Sequence, residues 1–251
     1  MSEKSILSRA EFEQLRIDSA LSMSRDRHLI GQARNVLVDA DHYYWIHQAN
    51  WFGEPILNIP QDMFALQEII FQTRPKFIIE LGVAWGGSLL FYATLMKVLG
   101  GQRVIGVDIY MPNDLRQRLS DVKEVSGQIL LIEGSSIDRD TVNRIREEVN
   151  HCRETMVILD SNHTHEHVIS ELRLYNSLVG KGFYMICGDT IIEDIPVQKD
   201  RPRPWGPGNN PKTAVLEFLR ENDRFVIDES IDNKLLLTCM PGGFLKCIRD
   251  P

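Results

Sequence analysis

The chain lacks the features that mark several large classes of protein. It has only four cysteines among 251 residues, and none forms a CxxC pair: Cys152, Cys187, Cys239 and Cys247. That pattern argues against a disulfide framework and favours reduced thiols in a cytosolic protein. The start of the chain is too polar for a secretory signal. The net charge is −7, and no Lys/Arg cluster offers the basic face that nucleic-acid phosphates need. We therefore expect a cytoplasmic protein with no nucleic-acid partner.

The sequence also predicts no membrane span. The stretch 77–96 is long and apolar, but it carries a carboxylate and three glycines near its middle: Glu80, Gly82, Gly86 and Gly87. A charge and a flexible break are costly in lipid. A strand, a glycine turn and a helix explain the stretch better, so we expect no stable membrane insertion.

From residue 76 onward, short apolar runs alternate with helix-like stretches. The runs lack period-two alternation, as expected of strands covered by helices on both faces. The predicted strands are Phe77–Leu81, Arg103–Asp108, Ile129–Glu133, Met156–Asp160 and Phe183–Cys187. The predicted helices are one from Pro60 to before Pro75, then Gly87–Leu99, Ile137–Val149 and His165–Leu178. The alternation predicts βαβ units in a doubly wound α/β sheet.

Both ends of the chain depart from this alternation. Residues 1–60 begin with a capping-box pattern from Ser8 to Glu11 and continue into an aromatic segment, so we expect a helical N-terminal extension. After a predicted helix at Lys212–Glu221, three strands are predicted: Arg224–Asp228, Lys234–Cys239 and Phe244–Ile248. We expect an antiparallel hairpin there to close the sheet.

A glycine-rich turn follows the first strand of the sheet. From Glu80 to Ser88 the pattern is G-x-x-x-G-G, not the G-x-G-x-x-G of dinucleotide folds. Glycine lets a backbone approach a ligand, and the helix start offers free N–H groups. Asp108 ends the second strand, where a carboxylate could accept hydrogen bonds from a ribose diol, and Ser136 follows the third, where it could border an adenine. The series predicts a nucleoside-bearing ligand, although any one carboxylate alone fits a solvated loop.

Acids also follow the fourth and fifth strands, at Asp160 and Asp189. Neighbouring parallel strands lie about 5 Å apart, so the two carboxylates could share one cation. Oxygen ligands suit Mg²⁺ or Mn²⁺. Such a cation would hold an acceptor hydroxyl and lower its pKa.

Three histidines follow Asp160 closely. His163 is a candidate general base, and equally a loop histidine that caps the next helix. Zinc proteases need H-E-x-x-H, but Thr164 stands where the glutamate belongs, so a zinc site at His163 and His167 is a weaker interpretation. We expect His165 and His167 to be structural or solvent-facing.

Taken together, these motifs resemble those of one known family. The chain resembles the cephalosporin hydroxylase / rhamnosyl O-methyltransferase family, whose members have a methyltransferase fold. The matching segments are the helix from Pro60 to Glu68, IIELGVAWGGS (78–88), VIGVDI (104–109), IEGSS (132–136), VILDSNHTHEHV (157–168), RPWGPGNNPKTAVLEFL (203–219) and LLLTCMPGGFLK (235–246). They cover nearly everything from about residue 40 onward.

The resemblance implies a class I S-adenosylmethionine-dependent methyltransferase with a mostly parallel, Rossmann-like sheet of seven strands. Its domain would be residues 61–251, with residues 1–60 as a lid or oligomer contact. The implied cofactor-binding residues are Glu80, Gly82, Ser88, Asp108, Ser136 and Asp160. The implied metal ligands, for Mg²⁺ or Mn²⁺, are Asp160 and Asp189. The implied catalytic residues are Asp160 and His163, the latter as the base that takes the acceptor's proton.

The resemblance also implies the acceptor: a sugar hydroxyl, such as that of a rhamnose-like deoxyhexose on a glycolipid or glycosylated natural product. The aromatic segment 43–52 and the stiff, proline-rich loop 201–211 with Trp205 could wall an amphipathic acceptor. They could instead pack the extension onto the sheet. An aromatic-rich extension is also compatible with a homo-oligomer.

The chain departs from the family at Gly188, where the family often has an acid. Glu193, Asp194 or water could complete the metal sphere. The departure keeps a second interpretation open, a non-catalytic S-adenosylmethionine-binding or partner subunit. A metal-dependent hydrolase is a third. A hydroxylase component is disfavoured because no redox centre is evident.

Overall fold

The structure, a computed structural model, describes residues 7–198 and 202–250. Arg201, at the start of the proline-rich loop, lies outside the described residues. Ahead of the main sheet, β1 (Ala49–Trp51) and β2 (Glu54–Ile56) form a small antiparallel hairpin.

Within the described residues, the remaining strands form one sheet of seven strands. They are β3 (Phe77–Leu81), β4 (Arg103–Asp108), β5 (Ile129–Glu133), β6 (Thr155–Leu159), β7 (Tyr184–Cys187), β8 (Phe225–Ile227) and β9 (Phe244–Cys247). Their order is β5-β4-β3-β6-β7-β9-β8. The first five are parallel, and β9 is antiparallel to both β7 and β8. The predicted mostly parallel sheet with an antiparallel closure is confirmed.

Helices cover both faces of this sheet. The α-helices of the described residues are α1 (Arg9–Arg25), α2 (Arg27–Ala40), α3 (Pro60–Thr73), α4 (Gly87–Leu99), α5 (Leu115–Asp121), α6 (Arg139–Val149), α7 (His165–Tyr175), α8 (Pro211–Glu221) and α9 (Glu229–Asp232). Among the described residues, no helix combines the length and the hydropathy that crossing a bilayer requires.

Alternate residues of each central strand enter different cores. Ile78 packs with Leu66 of α3 and Leu89 of α4, whereas Ile79 packs with Leu172 of α7 and Phe218 of α8. Every residue of β3 and β6 is buried, which explains why these strands lack a polar face in the sequence. The parallel register aligns the carboxyl ends of β3, β4 and β6 at one edge of the sheet.

One predicted strand was wrong. Lys234–Cys239 is irregular, and the hairpin partner of β9 is β8. The segment crosses the carboxyl edge of the sheet instead: the Cys239 N–H donates to the Asp62 carboxylate at 2.8 Å, and its carbonyl accepts from Ile191. Its apolar residues therefore cover the end of the core rather than extend the sheet.

The N-terminal extension is attached through its hairpin. The predicted capping box is present, with Ser8 and Glu11 bonding each other's backbone. β2 approaches α4 so closely that a Cβ at Gly87 would lie 2.3 Å from the Pro55 carbonyl oxygen. Trp51 donates to Thr94 of α4 at 3.1 Å. The boundary at residue 60, and the role of the extension, stay predictions.

Candidate functional site

A cavity of about 760 Å³ opens at the carboxyl ends of the central strands. This volume is within the range of small-molecule sites. Three predicted acids, Asp108, Asp160 and Asp189, all line it. Glu80, Gly82, Ser88 and His163 line it as well. The strand ends therefore bring most of the predicted site residues to one place, as the alignment of parallel strands requires.

The glycine turn brings β3 and β6 together. Gly82 has a φ of +98°, and a Cβ there would lie 2.2 Å from the backbone oxygen of Asp160. Only glycine tolerates both the left-handed backbone and this approach. Gly86, with a φ of +85°, then begins α4. The turn thus fixes the distance between β3 and Asp160, the residue that follows β6.

Asp108 is already engaged with the turn. One carboxylate oxygen accepts from the Val83 N–H at 2.8 Å and the Ala84 N–H at 3.2 Å, and the other accepts from the Tyr110 N–H at 3.2 Å. A carboxylate has about four acceptor positions, so about one stays available for a ribose hydroxyl. The sequence predicted two such bonds. The structure adds a second task for Asp108, which is to hold the turn.

Glu80 is buried beneath the turn and accepts from the Ser88 hydroxyl at 2.9 Å. Burial raises the pKa of Glu80 to about 8; the Ser88 hydrogen bond opposes that shift and the charge of Asp108 adds to it. The apo protein therefore keeps a proton on Glu80 at neutral pH. A cationic ligand group beside it would favour release of that proton.

Ser136 does not line the cavity. Its hydroxyl donates to the buried Glu171 carboxylate and lies 3.0 Å from His167 Nε2. Ser161, which does line the cavity, donates to the same Glu171 oxygen at 2.6 Å. The cofactor role of Ser136 stays a prediction, and the structure places Ser161 at the wall instead.

Sequence reasoning missed Glu171. It is fully buried on α7, and one of its carboxylate oxygens has no partner. The signal was present, because Glu171 lies four residues after His167 and between the apolar Ile169 and Leu172. A charged residue on an apolar helix face is rarely buried without a polar partner.

Asp160, His163 and Asp189 form a cluster that could hold a cation. One potential ligand atom of each lies within 4.8 Å of the others. His163 Nε2 is 3.3 Å from an oxygen of Asp189. Burial raises the pKa of Asp160 well above its usual value, and the neighbouring acids Asp189, Glu80 and Glu171 raise it further. A divalent cation fits this site because it would offset several acids that repel one another.

The missing acid at position 188 has a steric explanation. A Cβ on Gly188 would lie 2.5 Å from an oxygen of Asp160, so no side chain fits while Asp160 has this orientation. The predicted substitutes are engaged elsewhere. Glu193 accepts from Gly208 N–H at 2.7 Å and from the Asn210 amide, and Asp194 pairs with Lys212 at 2.6 Å.

The other two histidines have structural contacts. His165 Nδ1 is 2.8 Å from the Thr213 hydroxyl and its Nε2 is 3.1 Å from Glu217, which ties α7 to α8. His167 contacts Glu171. The cluster found among the described residues contains His163 and neither of these two, so the geometry does not favour the zinc interpretation.

The outer walls of the cavity come from the extension and from the loop before α8. Trp205 lines the cavity and meets the His163 ring edge-on, with ring centroids 4.8 Å apart. From the aromatic segment, Ile46 and His47 line the cavity, whereas Tyr43 is exposed. Trp51 packs against Phe91, as expected of an aromatic that holds the extension onto the sheet. The role of the segment in acceptor binding stays a prediction.

Comparisons with known proteins give consistent results. A family model described as Rhamnosyl O-methyltransferase/CmcI matches residues 43–248. The rhamnosyl O-methyltransferase of Mycobacterium tuberculosis (strain ATCC 25618 / H37Rv) is 30% identical over 188 residues, covering 73% of this chain and 72% of that protein. The rhamnosyl O-methyltransferase of Mycobacterium leprae (strain TN) is 31% identical over 208 residues, covering 81% and 85%.

A solved structure of CmcI, described with Mg and SAM, superposes with a TM-score of 0.53 at 22% identity. The match covers 80% of this chain and 77% of that chain. At this identity the likeness concerns the fold alone.

Proposed function

The chain belongs to the Rhamnosyl O-methyltransferase/CmcI family, as its motifs predict, and from this membership we propose its reaction. It is an S-adenosylmethionine-dependent methyltransferase that methylates a sugar hydroxyl with the help of a divalent cation. The acceptor is a rhamnose-like deoxyhexose on a glycolipid or glycosylated natural product.

One observation carries this proposal. A single cavity places the glycine turn with Asp108 beside the cluster of Asp160, His163 and Asp189. A methyl donor bound at the glycine turn would face an acceptor hydroxyl held at the cluster. Proximity of this kind contributes much of the rate of a group transfer.

On the donor side, the residues at the turn have distinct tasks. Gly82 leaves the strand end open to the ligand, and Asp108 has an acceptor position for a ribose hydroxyl. Glu80 and Ser88 lie beneath the start of α4, where a buried acid suits the cationic end of S-adenosylmethionine.

On the acceptor side, Asp160 and Asp189 would hold the cation. When bound, Mg²⁺ or Mn²⁺ would act as a Lewis acid that lowers the pKa of the acceptor hydroxyl. As the methyl group moves to the hydroxyl oxygen, the hydroxyl proton must leave. His163, the base predicted from the sequence, can take it only through a nitrogen whose lone pair is free.

The acceptor site is framed by apolar and polar groups together. Trp205, Ile46 and Val197 offer apolar surface, and Asp39, His42 and Arg203 offer hydrogen bonds. Such a mixture suits an amphipathic glycoside, whose sugar faces are apolar and whose edges are polar. It supports a glycosylated small-molecule acceptor.

The test uses labelled S-adenosylmethionine with a panel of rhamnosides, with and without a chelator. We expect transfer that requires acceptor and metal. Full transfer in the chelator would remove the metal role, and absence of both cofactor binding and transfer would remove the function. Asp108→Ala should weaken cofactor binding only. Asp160→Ala should weaken metal binding more than cofactor binding.

Two further features belong to this proposal. A cytoplasmic location is supported by the four free cysteines. A homo-oligomer is supported by apolar side chains that α1 leaves exposed, including Phe12, Leu15 and Ile17. Light scattering would detect it, and a monomer at micromolar concentration would contradict it.

A further inference from the structure

We infer that His163 is the third metal ligand of this site, and that its nitrogen makes the protein prefer Mn²⁺ to Mg²⁺. The inference rests on the proposed function, because it concerns the cation that the transfer would use. It gives His163 a different task from the base that the sequence predicts.

The position of the imidazole supports the ligand role. Asp160, His163 and Asp189 each offer an atom within 4.8 Å of the other two, a spacing that one ion can bridge. Nε2 of His163, not Nδ1, faces Asp189 at 3.3 Å. The His163 side chain is only 14% exposed, and Trp205 packs against its ring. The imidazole is therefore held with one nitrogen toward the carboxylates.

The other candidates for a third protein ligand are excluded by contacts. Position 188 is a glycine and offers no ligand atom, and a side chain there would require the Asp160 carboxylate to move. Glu193 accepts hydrogen bonds from the loop before α8, and Asp194 pairs with Lys212. Among the described residues, the one cluster of three converging ligand atoms is the cluster that includes His163. The histidine thus supplies what the missing acid would have supplied.

The ligand set then determines the preferred ion. Mg²⁺ favours oxygen ligands in a strict octahedron and is bound poorly by imidazole. Mn²⁺ is the weakest binder among the first-row transition metals, but it is softer than Mg²⁺ and therefore gains more from an imidazole nitrogen beside carboxylate oxygens. Two carboxylates and one imidazole would leave open positions on the ion for an acceptor. A lone pair given to the metal cannot also receive a proton, so the two roles of His163 exclude each other at Nε2.

The experiment is pulsed electron paramagnetic resonance on the full chain loaded with Mn²⁺. We expect nitrogen modulation from a directly bound imidazole, and a change in that modulation when the protein carries ¹⁵N-labelled histidine. His163→Gln should abolish it and weaken Mn²⁺ binding at least tenfold, with a smaller effect on Mg²⁺ binding in calorimetry. His165→Gln is the matched control and should leave both unchanged.

Several results would overturn the inference. They are an unlabelled wild-type spectrum without nitrogen modulation, modulation that persists in His163→Gln, or equal wild-type affinity for the two ions. The wild-type labelling experiment decides the question even where a variant fails to fold. Methyl transfer by a protein whose Mn²⁺ spectrum shows oxygen ligands alone would contradict this inference and leave the proposed function unaffected. Absence of cofactor binding would contradict the proposed function instead.

Discussion

The two halves of the cavity rim differ in how their charges are compensated. On the donor half, the protein itself satisfies the acids: Asp108 accepts three backbone hydrogen bonds and Glu80 accepts one from Ser88. On the metal half, the charged groups that act on Asp160 are further acids. The first half is formed without its ligand, whereas the second depends on a cation. The donor half is thus preorganised, whereas the acids of the metal half repel one another until a cation binds.

The substitution with the largest expected effect on this contrast is Asp160→Asn. The change keeps the shape and removes the ionisable group that would bind the cation, so we expect methyl transfer to fall by about 10²-fold or more. The same change should raise the melting temperature of the metal-free protein, because Asn has no charge to desolvate. Activity assays and thermal unfolding in chelator measure the two effects. Asp138→Asn, at a start of α6 with no side-chain cap, is the control. A lower melting temperature of the Asp160→Asn protein in chelator would contradict the contrast between the two halves.

Gly82→Ala tests the contact that joins the halves. The new Cβ would clash with the Asp160 backbone oxygen at a φ of +98°, so the free energy of unfolding should fall by about 3 kcal/mol or more. Gly182→Ala is the matched control, with a φ of +92° and open space around the Cβ, and should cost about 1–2 kcal/mol. Urea denaturation compares them. Equal losses would mean that the close approach is unimportant.

Glu80→Gln tests the donor half through pH. The pKa of Glu80 is raised from 4.5 to about 8, so the folded protein retains a proton that the unfolded chain loses. Stability should therefore fall as the pH rises from about 5 to 8, and Glu80→Gln should reduce that fall by about 2–3 kcal/mol. Asp62, whose pKa burial raises to about 7, keeps part of the slope in both proteins. Denaturation at a series of pH values measures the free energy of unfolding. The same dependence on pH in the wild type and in Glu80→Gln would contradict a neutral Glu80.

Asp108→Asn has the smallest expected effect. The amide retains one acceptor oxygen but lacks the charge, so cofactor binding should weaken about tenfold, with Mn²⁺ affinity unchanged. Calorimetry with S-adenosylmethionine and with Mn²⁺ separates the two. Weaker Mn²⁺ binding would show that the halves are not independent.

Much of this arrangement was predictable from local patterns. Strand ends at Leu81, Asp108 and Glu133 coincide with the predictions, because apolar runs followed by glycine or acid mark where buried strands meet solvent. The predicted convergence of Asp108, Asp160 and Asp189 needed only the rule that parallel strands align their carboxyl ends. Strand order and register were not predicted, because the right-handed rule fixes the hand of a βαβ connection and not which strands become neighbours.

What could not be predicted depends on distances between distant segments. The three leucines from Leu235 have the composition of a strand, but β8 occupies the place beside β9, so that segment crosses the edge of the sheet. The sequence shows Gly188 as a missing ligand, and only the structure shows that a side chain there would collide with the Asp160 carboxylate in its present orientation. Glu171 draws Ser136 away from the cavity through a contact across 35 positions of the chain.

The edge-on contact of Trp205 with His163 has a practical consequence. An indole 4.8 Å from that imidazole is an optical reporter built into the chain. Paramagnetic Mn²⁺ arriving at the neighbouring carboxylates would quench its fluorescence, whereas diamagnetic Mg²⁺ would not. The difference between the emission of the wild type and that of Trp205→Phe would therefore follow occupancy in real time, without any label.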